Sequence, residues 1–118
     1  MHTVYLETSV VSYLAARPSR DLIVAAHQQS TWNWWAKQRK NFEVVVSPMV
    51  WDEARQGNPV IVKRRQEYLN GLKVLNYCDD VVRLAKAYNH VLRLPAKKAA
   101  DAIHLAYASW YGVDYLLT

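Results

Sequence analysis

The chain has 118 residues, of which 52% are apolar, 21% charged, and only three are Gly and four Pro. That length and composition fit a single folded domain over residues 1–118 and exclude a disordered or low-complexity chain. The one cysteine, Cys78, excludes an internal disulfide, and no apolar run approaches the ~18 residues of a bilayer span.

The start, Met1-His2-Thr3, lacks the basic and apolar regions of a secretory signal, so a soluble cytoplasmic protein is expected. The net charge of +5 fits a polyanionic partner, or equally a merely basic soluble protein.

Along the chain, strand and helix signals alternate. Thr3–Leu6 reads as the first strand, and Ser9 as the cap of a short helix reaching Ala16. Asp21 to about Lys40 reads as a long helix, with its acid at the start and its bases at the end, as the helix dipole prefers. The β-branched run Phe42–Ser47 is a second strand, and Pro48 opens a short helix carrying Glu53. Asn58 caps a helix that runs from Pro59 to about Leu69. Leu72–Asn76 is a short third strand. The next helix begins at Asp79 or Asp80, with Val81, Leu84, Ala85, Tyr88 and Val91 as its apolar stripe. Lys97–Tyr111 is the last helix, Gly112 its stop, and Val113–Thr118 the fourth strand. Such alternation predicts an α/β sandwich with a mainly parallel sheet.

Three acids stand where such a sheet keeps its chemistry, outside the carboxyl ends of the strands. Glu7 follows the first strand directly. Glu53 lies six residues past Ser47, and Asp101 is in the opening turns of the last helix. Clustered carboxylates repel one another and raise one another's pKa, so they suit a site that holds a hard divalent cation. An acidic pocket in an otherwise basic chain also suits an enzyme that grips a phosphate backbone. Against this, any single acid of the ten could be a solvated charge at a helix end.

Four segments carry a resemblance. They are Val4-Tyr5-Leu6-Glu7-Thr8-Ser9, Ser47-Pro48-Met49-Val50-Trp51-Asp52-Glu53, Ala100-Asp101-Ala102-Ile103-His104-Leu105-Ala106 and Tyr115-Leu116-Leu117-Thr118. In order and spacing they resemble the PIN-domain family, nearest to the ribonuclease toxins of bacterial type II toxin–antitoxin pairs. The resemblance implies a three-layer sandwich and a Mg²⁺- or Mn²⁺-dependent endoribonuclease that hydrolyses RNA phosphodiester bonds. Glu7, Glu53 and Asp101 would be its catalytic acids and metal ligands. A small antitoxin protein and a second copy of the chain are the partners it implies. The family's last motif usually runs on from Leu-Leu-Thr into an Asn or Asp, then a fifth strand. Here the sequence ends at Thr118. The expectation is therefore a site lacking its fourth polar residue and a sheet lacking its fifth strand. That departure favours, as the alternative, a weakly catalytic or inactive PIN-fold protein that binds RNA or antitoxin.

Several residues are candidates for the surround of the site. Thr8 and Ser9 can bond the Glu7 carboxylate or a substrate phosphate, and Lys97 and Lys98 stand close enough to Asp101 to meet phosphates. His104, three residues after Asp101, shares its helix face and is either a substrate contact or a satisfied structural histidine. Asp52 points about 100° away from Glu53 and is left to solvent. Trp32 and Trp35 are read as core or interface residues before RNA-stacking platforms. A phosphoacceptor receiver domain would need an Asp at the end of the third strand, where Asn76-Tyr77 stands.

Overall fold

The structure, a computed structural model, describes the backbone of all 118 residues and every side chain except that of Lys97. Four strands, β1 (His2–Leu6), β2 (Phe42–Val46), β3 (Lys73–Val74) and β4 (Tyr115–Leu117), form one sheet in the order β3-β2-β1-β4. Every pairing is parallel. Helices flank this sheet: α1 (Thr8–Ala15), α2 (Leu22–Lys37), α3 (Pro48–Ala54), α4 (Pro59–Leu69), α5 (Asp79–Leu92) and α6 (Ala99–Trp110). The architecture is the expected α/β arrangement and is compatible with a PIN-like three-layer sandwich.

The sheet is central because its two inner strands are apolar on both faces. Val4, Tyr5 and Leu6 of β1 and Val44, Val45 and Val46 of β2 are all buried, as befits parallel strands covered on both sides. Val10, Val11 and Leu14 of α1, Val50 and Ala54 of α3, Leu69 of α4, Val81 and Ala85 of α5 and Ala106 and Tyr107 of α6 complete the core. Trp32, Trp34 and Trp35 of α2 pack against it partly buried, with Trp35 edge-on to Tyr68.

Local chemistry sets the helix ends. Asp21 caps α2, accepting from the backbone N–H groups of Ile23 and Val24, and Asn58 caps α4 through Val60 ahead of Pro59. After α6, Gly112 takes the left-handed conformation at φ 63°. Its N–H donates to Ser109 and that of Val113 to Ala108, the paired bonds of a Schellman stop.

Several boundaries differ from the sequence reading: the last helix starts at Ala99, after a 3₁₀ turn at Ala96–Lys98, and the last strand keeps only Tyr115–Leu117 of Val113–Thr118. Ser9 does not cap α1: the helix starts at Thr8 with Glu7 in the cap position, and the Ser9 hydroxyl turns back to the Glu7 carboxylate. The long helix ends at Lys37, and Arg39–Asn41 forms a separate 3₁₀ turn into β2. β3 keeps only two residues of Leu72–Asn76. Beyond it the carbonyl of Asn76 is taken by the Tyr111 hydroxyl at 2.6 Å, outside the sheet.

The last turn before β4 is tied to the start of β1. Asp114 accepts from the backbone N–H of Thr3 at 2.8 Å and from its hydroxyl at 3.1 Å. The Thr3 N–H holds the Asp114 carboxyl below the usual carboxylate range. A depressed folded value stabilises the native state above the unfolded value of about 3.9, and that contribution fades as pH falls through the folded value. Asp114→Asn should therefore lower the urea midpoint at neutral pH and match the parent in strong acid. A gap that persists unchanged in strong acid would contradict this.

Candidate functional site

A parallel sheet sends the carboxyl ends of all its strands to one edge. Here that edge carries Glu7 after β1, Ser47 after β2 and Thr118 after β4. Strand order reverses beside β1, since the chain passes outward to β2 and β3 and then returns to the other side as β4. Ligand clefts of open α/β sheets lie at such reversals. Glu7 sits on this one, and its backbone N–H is fixed by the Leu117 carbonyl of β4 at 3.1 Å.

Glu53 reaches the same edge from α3. Its neighbour Asp52 turns outward to Arg55 at 3.1 Å, as the helix rotation requires. Glu53 itself is turned inward, with its side chain 30% exposed. Its Oε1 accepts from the Thr8 hydroxyl at 2.6 Å and pairs with His104 Nε2 at 2.6 Å. The Glu7 carboxylate accepts a longer bond, 3.3 Å, from the Ser9 hydroxyl. Among the described residues, the second oxygen of each carboxylate has no hydrogen-bond donor.

Behind Glu53 runs a buried chain of polar groups. His104 is 2% exposed, and its Nδ1 pairs with the Tyr5 hydroxyl at 2.6 Å. The Tyr5 hydroxyl in turn pairs with Ser47 Oγ at 2.7 Å. Tyr5 and Ser47 are both fully buried. Burial drives the Tyr5 phenol far above the usual tyrosine range, opposed by the Ser47 hydrogen bond and reinforced by the charges of Glu53 and Glu7. Burial thus favours the neutral form of Tyr5. Ser47 occupies the N-cap position of α3 yet makes no capping bond with its side chain. Its hydroxyl serves Tyr5 instead.

Asp101 stands apart from this arrangement. Its side chain is 54% exposed, and Lys98 Nζ lies 3.9 Å from its Oδ2. It opens α6 one turn before His104, so it belongs to the same end of the sheet. Among the described residues, however, no three His, Cys, Asp or Glu side chains gather closely enough to hold a metal ion. Thr8 bonds Glu53 and its neighbour Ser9 bonds Glu7, while Asp101 lies one helical turn before the His104 that pairs with Glu53. Like charges repel, and the donors that satisfy Glu53 here are Thr8 and His104. Lys98 is placed beside Asp101 as expected, while the Lys97 side chain lies outside the described residues.

Sequence reasoning missed Tyr5 and Ser47. One signal was available: a tyrosine between Val4 and Leu6 in a strand covered on both faces must find a partner for its hydroxyl.

A groove with a mainly apolar lining lies elsewhere. It has a volume of about 300 Å³ between α3, α5 and α6, lined by residues such as Met49, Val81, Ala85 and Ile103. No helix of the described chain is long and apolar enough to cross a membrane. No protein-family model matches the chain, and no curated protein matches its sequence.

Proposed function

We propose that this chain is a divalent-metal-dependent endoribonuclease of PIN type, the toxin of a toxin–antitoxin pair acting in the cytoplasm. The observation that carries the reading is the shared position of Glu7, Glu53 and the first turn of α6 at the carboxyl edge of a parallel sheet, beside its order reversal. The donor set is all hard oxygen, the chemistry that Mg²⁺ and Mn²⁺ require, and such ions retain several waters, so few protein ligands suffice. Glu7, Glu53 and Asp101 would hold the ion, Glu7 and Glu53 through their free oxygens. When bound, it would lower the pKa of a water and offset charge on the phosphate oxygens.

The chain's own groups have separate duties in this reading. Thr8 and His104 fix Glu53 from two sides, and Ser9 steadies Glu7. Lys98 offers a cation to a phosphate next to Asp101. The net charge of +5 draws RNA toward the molecule. A small antitoxin protein and a second copy of the chain come with the resemblance as partners.

A second reading, an RNA- or antitoxin-binding protein of the same fold with little catalysis, is favoured by the finding that no three ligating side chains gather closely enough among the described residues to hold a metal ion. Incubation with a mixed pool of single-stranded RNAs in Mg²⁺ or Mn²⁺ separates the two. The first reading expects cleavage by the parent that Glu7→Gln abolishes. RNA that is bound and left intact in both metals selects the second.

A further inference from the structure

We infer that His104 is a positioning residue for Glu53, held in the Nε2–H form by a buried relay that runs from Ser47 through Tyr5. The inference rests on the reading of Glu53 as a metal ligand, but its first observable, the proton position on His104, does not.

The relay has one arrangement that satisfies every member with a neutral ring. A neutral imidazole carries one N–H and one bare nitrogen, and its neighbours decide which is which. Glu53 Oε1, as a carboxylate oxygen, can only accept, so Nε2 at 2.6 Å must supply the hydrogen. That leaves Nδ1 bare, and the proton it accepts is on the Tyr5 hydroxyl at 2.6 Å. Burial keeps that proton on the phenol. The Tyr5 oxygen, having donated, accepts from the Ser47 hydroxyl at 2.7 Å. Proton direction is thereby set along the whole line: Ser47 to Tyr5, Tyr5 to His104, His104 to Glu53.

The relay is costly to assemble as mere structure. It brings three buried polar side chains from β1, the turn after β2 and α6 into the interior of the molecule. Apolar residues of similar shape would fill that space without the need to match every donor and acceptor. Its open end is the partly exposed carboxylate of Glu53 at the strand-end edge. There Thr8, from the first turn of α1, adds a second donor to the same oxygen. Two donors on Oε1 from opposite elements stop the carboxyl group from turning, and Oε2 stays without a donor among the described residues. Such outer partners orient metal-binding groups, and their loss typically costs roughly 10–100-fold in metal affinity or activity.

The test has two parts. Nitrogen-15 NMR of the parent chain, free of metal, reads the ring protons of His104 directly. A proton on Nε2 and none on Nδ1 is expected, and an Nε2 without a proton or a ring protonated on both nitrogens overturns the inference. Mn²⁺ affinity is then compared for the parent, His104→Leu, His104→Gln and Tyr5→Phe. The glutamine amide can present an N–H near the place of Nε2, so it should bind Mn²⁺ within a few-fold of the parent. His104→Leu should bind roughly 10–100-fold more weakly. Tyr5→Phe should fall between them while the protein stays folded, because it frees the tautomer and keeps the ring. If His104→Leu does not fold, the glutamine and phenylalanine variants decide. Equal Mn²⁺ affinity across all folded variants overturns the positioning role. A parent that binds no Mn²⁺ with an Nε2–H signal present defeats the metal-site reading and leaves the relay standing.

Discussion

Asp101→Asn is expected to remove RNA cleavage while leaving the fold and melting temperature as they are. As an intended metal ligand, its loss should exceed the roughly 10–100-fold typical of outer partners. The unchanged stability follows from its surroundings. The Asp101 side chain is 54% exposed and its nearest charge is Lys98, so neutralising it neither relieves a buried repulsion nor breaks a buried bond. Surface changes of this kind usually stay within about 0.5 kcal/mol. Cleavage rate in Mg²⁺ and a thermal melt without metal check the two halves. Cleavage at the parent rate would remove Asp101 from the site.

The largest effect on stability is expected from Leu6→Ala. Leu6 is fully buried at the end of the central strand, paired in register with Leu117 and one residue before Glu7. Truncation there loses the transfer free energy of the side chain and leaves a cavity, a cost of about 2–5 kcal/mol. Set against the ~5–15 kcal/mol that holds a typical domain, this is a large share. A urea unfolding curve measures it, and a loss under about 1 kcal/mol would mean that the core around β1 collapses to fill the gap. Because Glu7 depends on the strand end for its position, the same variant should also weaken any Mn²⁺ binding.

Much of the fold was legible because local and long-range preferences agree in this chain. The valine run of β2, the Asn58-Pro59 start of α4 and the Gly112 stop each have one good structural solution, and each adopts it. Errors arose where a residue had two comparable partners. Ser9 could cap a helix or bond Glu7, and it does the second. β3 is an edge strand with a single neighbour, so little holds Leu72 and Asn76 in the sheet.

The site was legible only in part. Glu7 and Glu53 could be located from strand ends and helix rotation, and Asp52 could be set aside on the same ground. His104 was visible as a face-mate of Asp101. The bond it makes to Glu53 spans 51 residues, and the Tyr5 bond behind it spans 99. Periodicity says which face a residue occupies. It does not say what a distant segment presents to that face, and the relay depends on that meeting.

In the proposed nuclease, Glu7, Glu53 and Asp101 jointly hold a divalent cation at the carboxyl edge of the sheet. Paramagnetic broadening by Mn²⁺ in NMR spectra of the whole chain tests it most directly, independent of any RNA. Selective, saturable loss of signals from residues 7–9, Glu53 and 101–104 is expected, relieved by excess Mg²⁺ and much reduced in Glu7→Gln. Broadening that is absent, spread evenly over surface carboxylates, or centred away from the ends of β1 and β2 would contradict it.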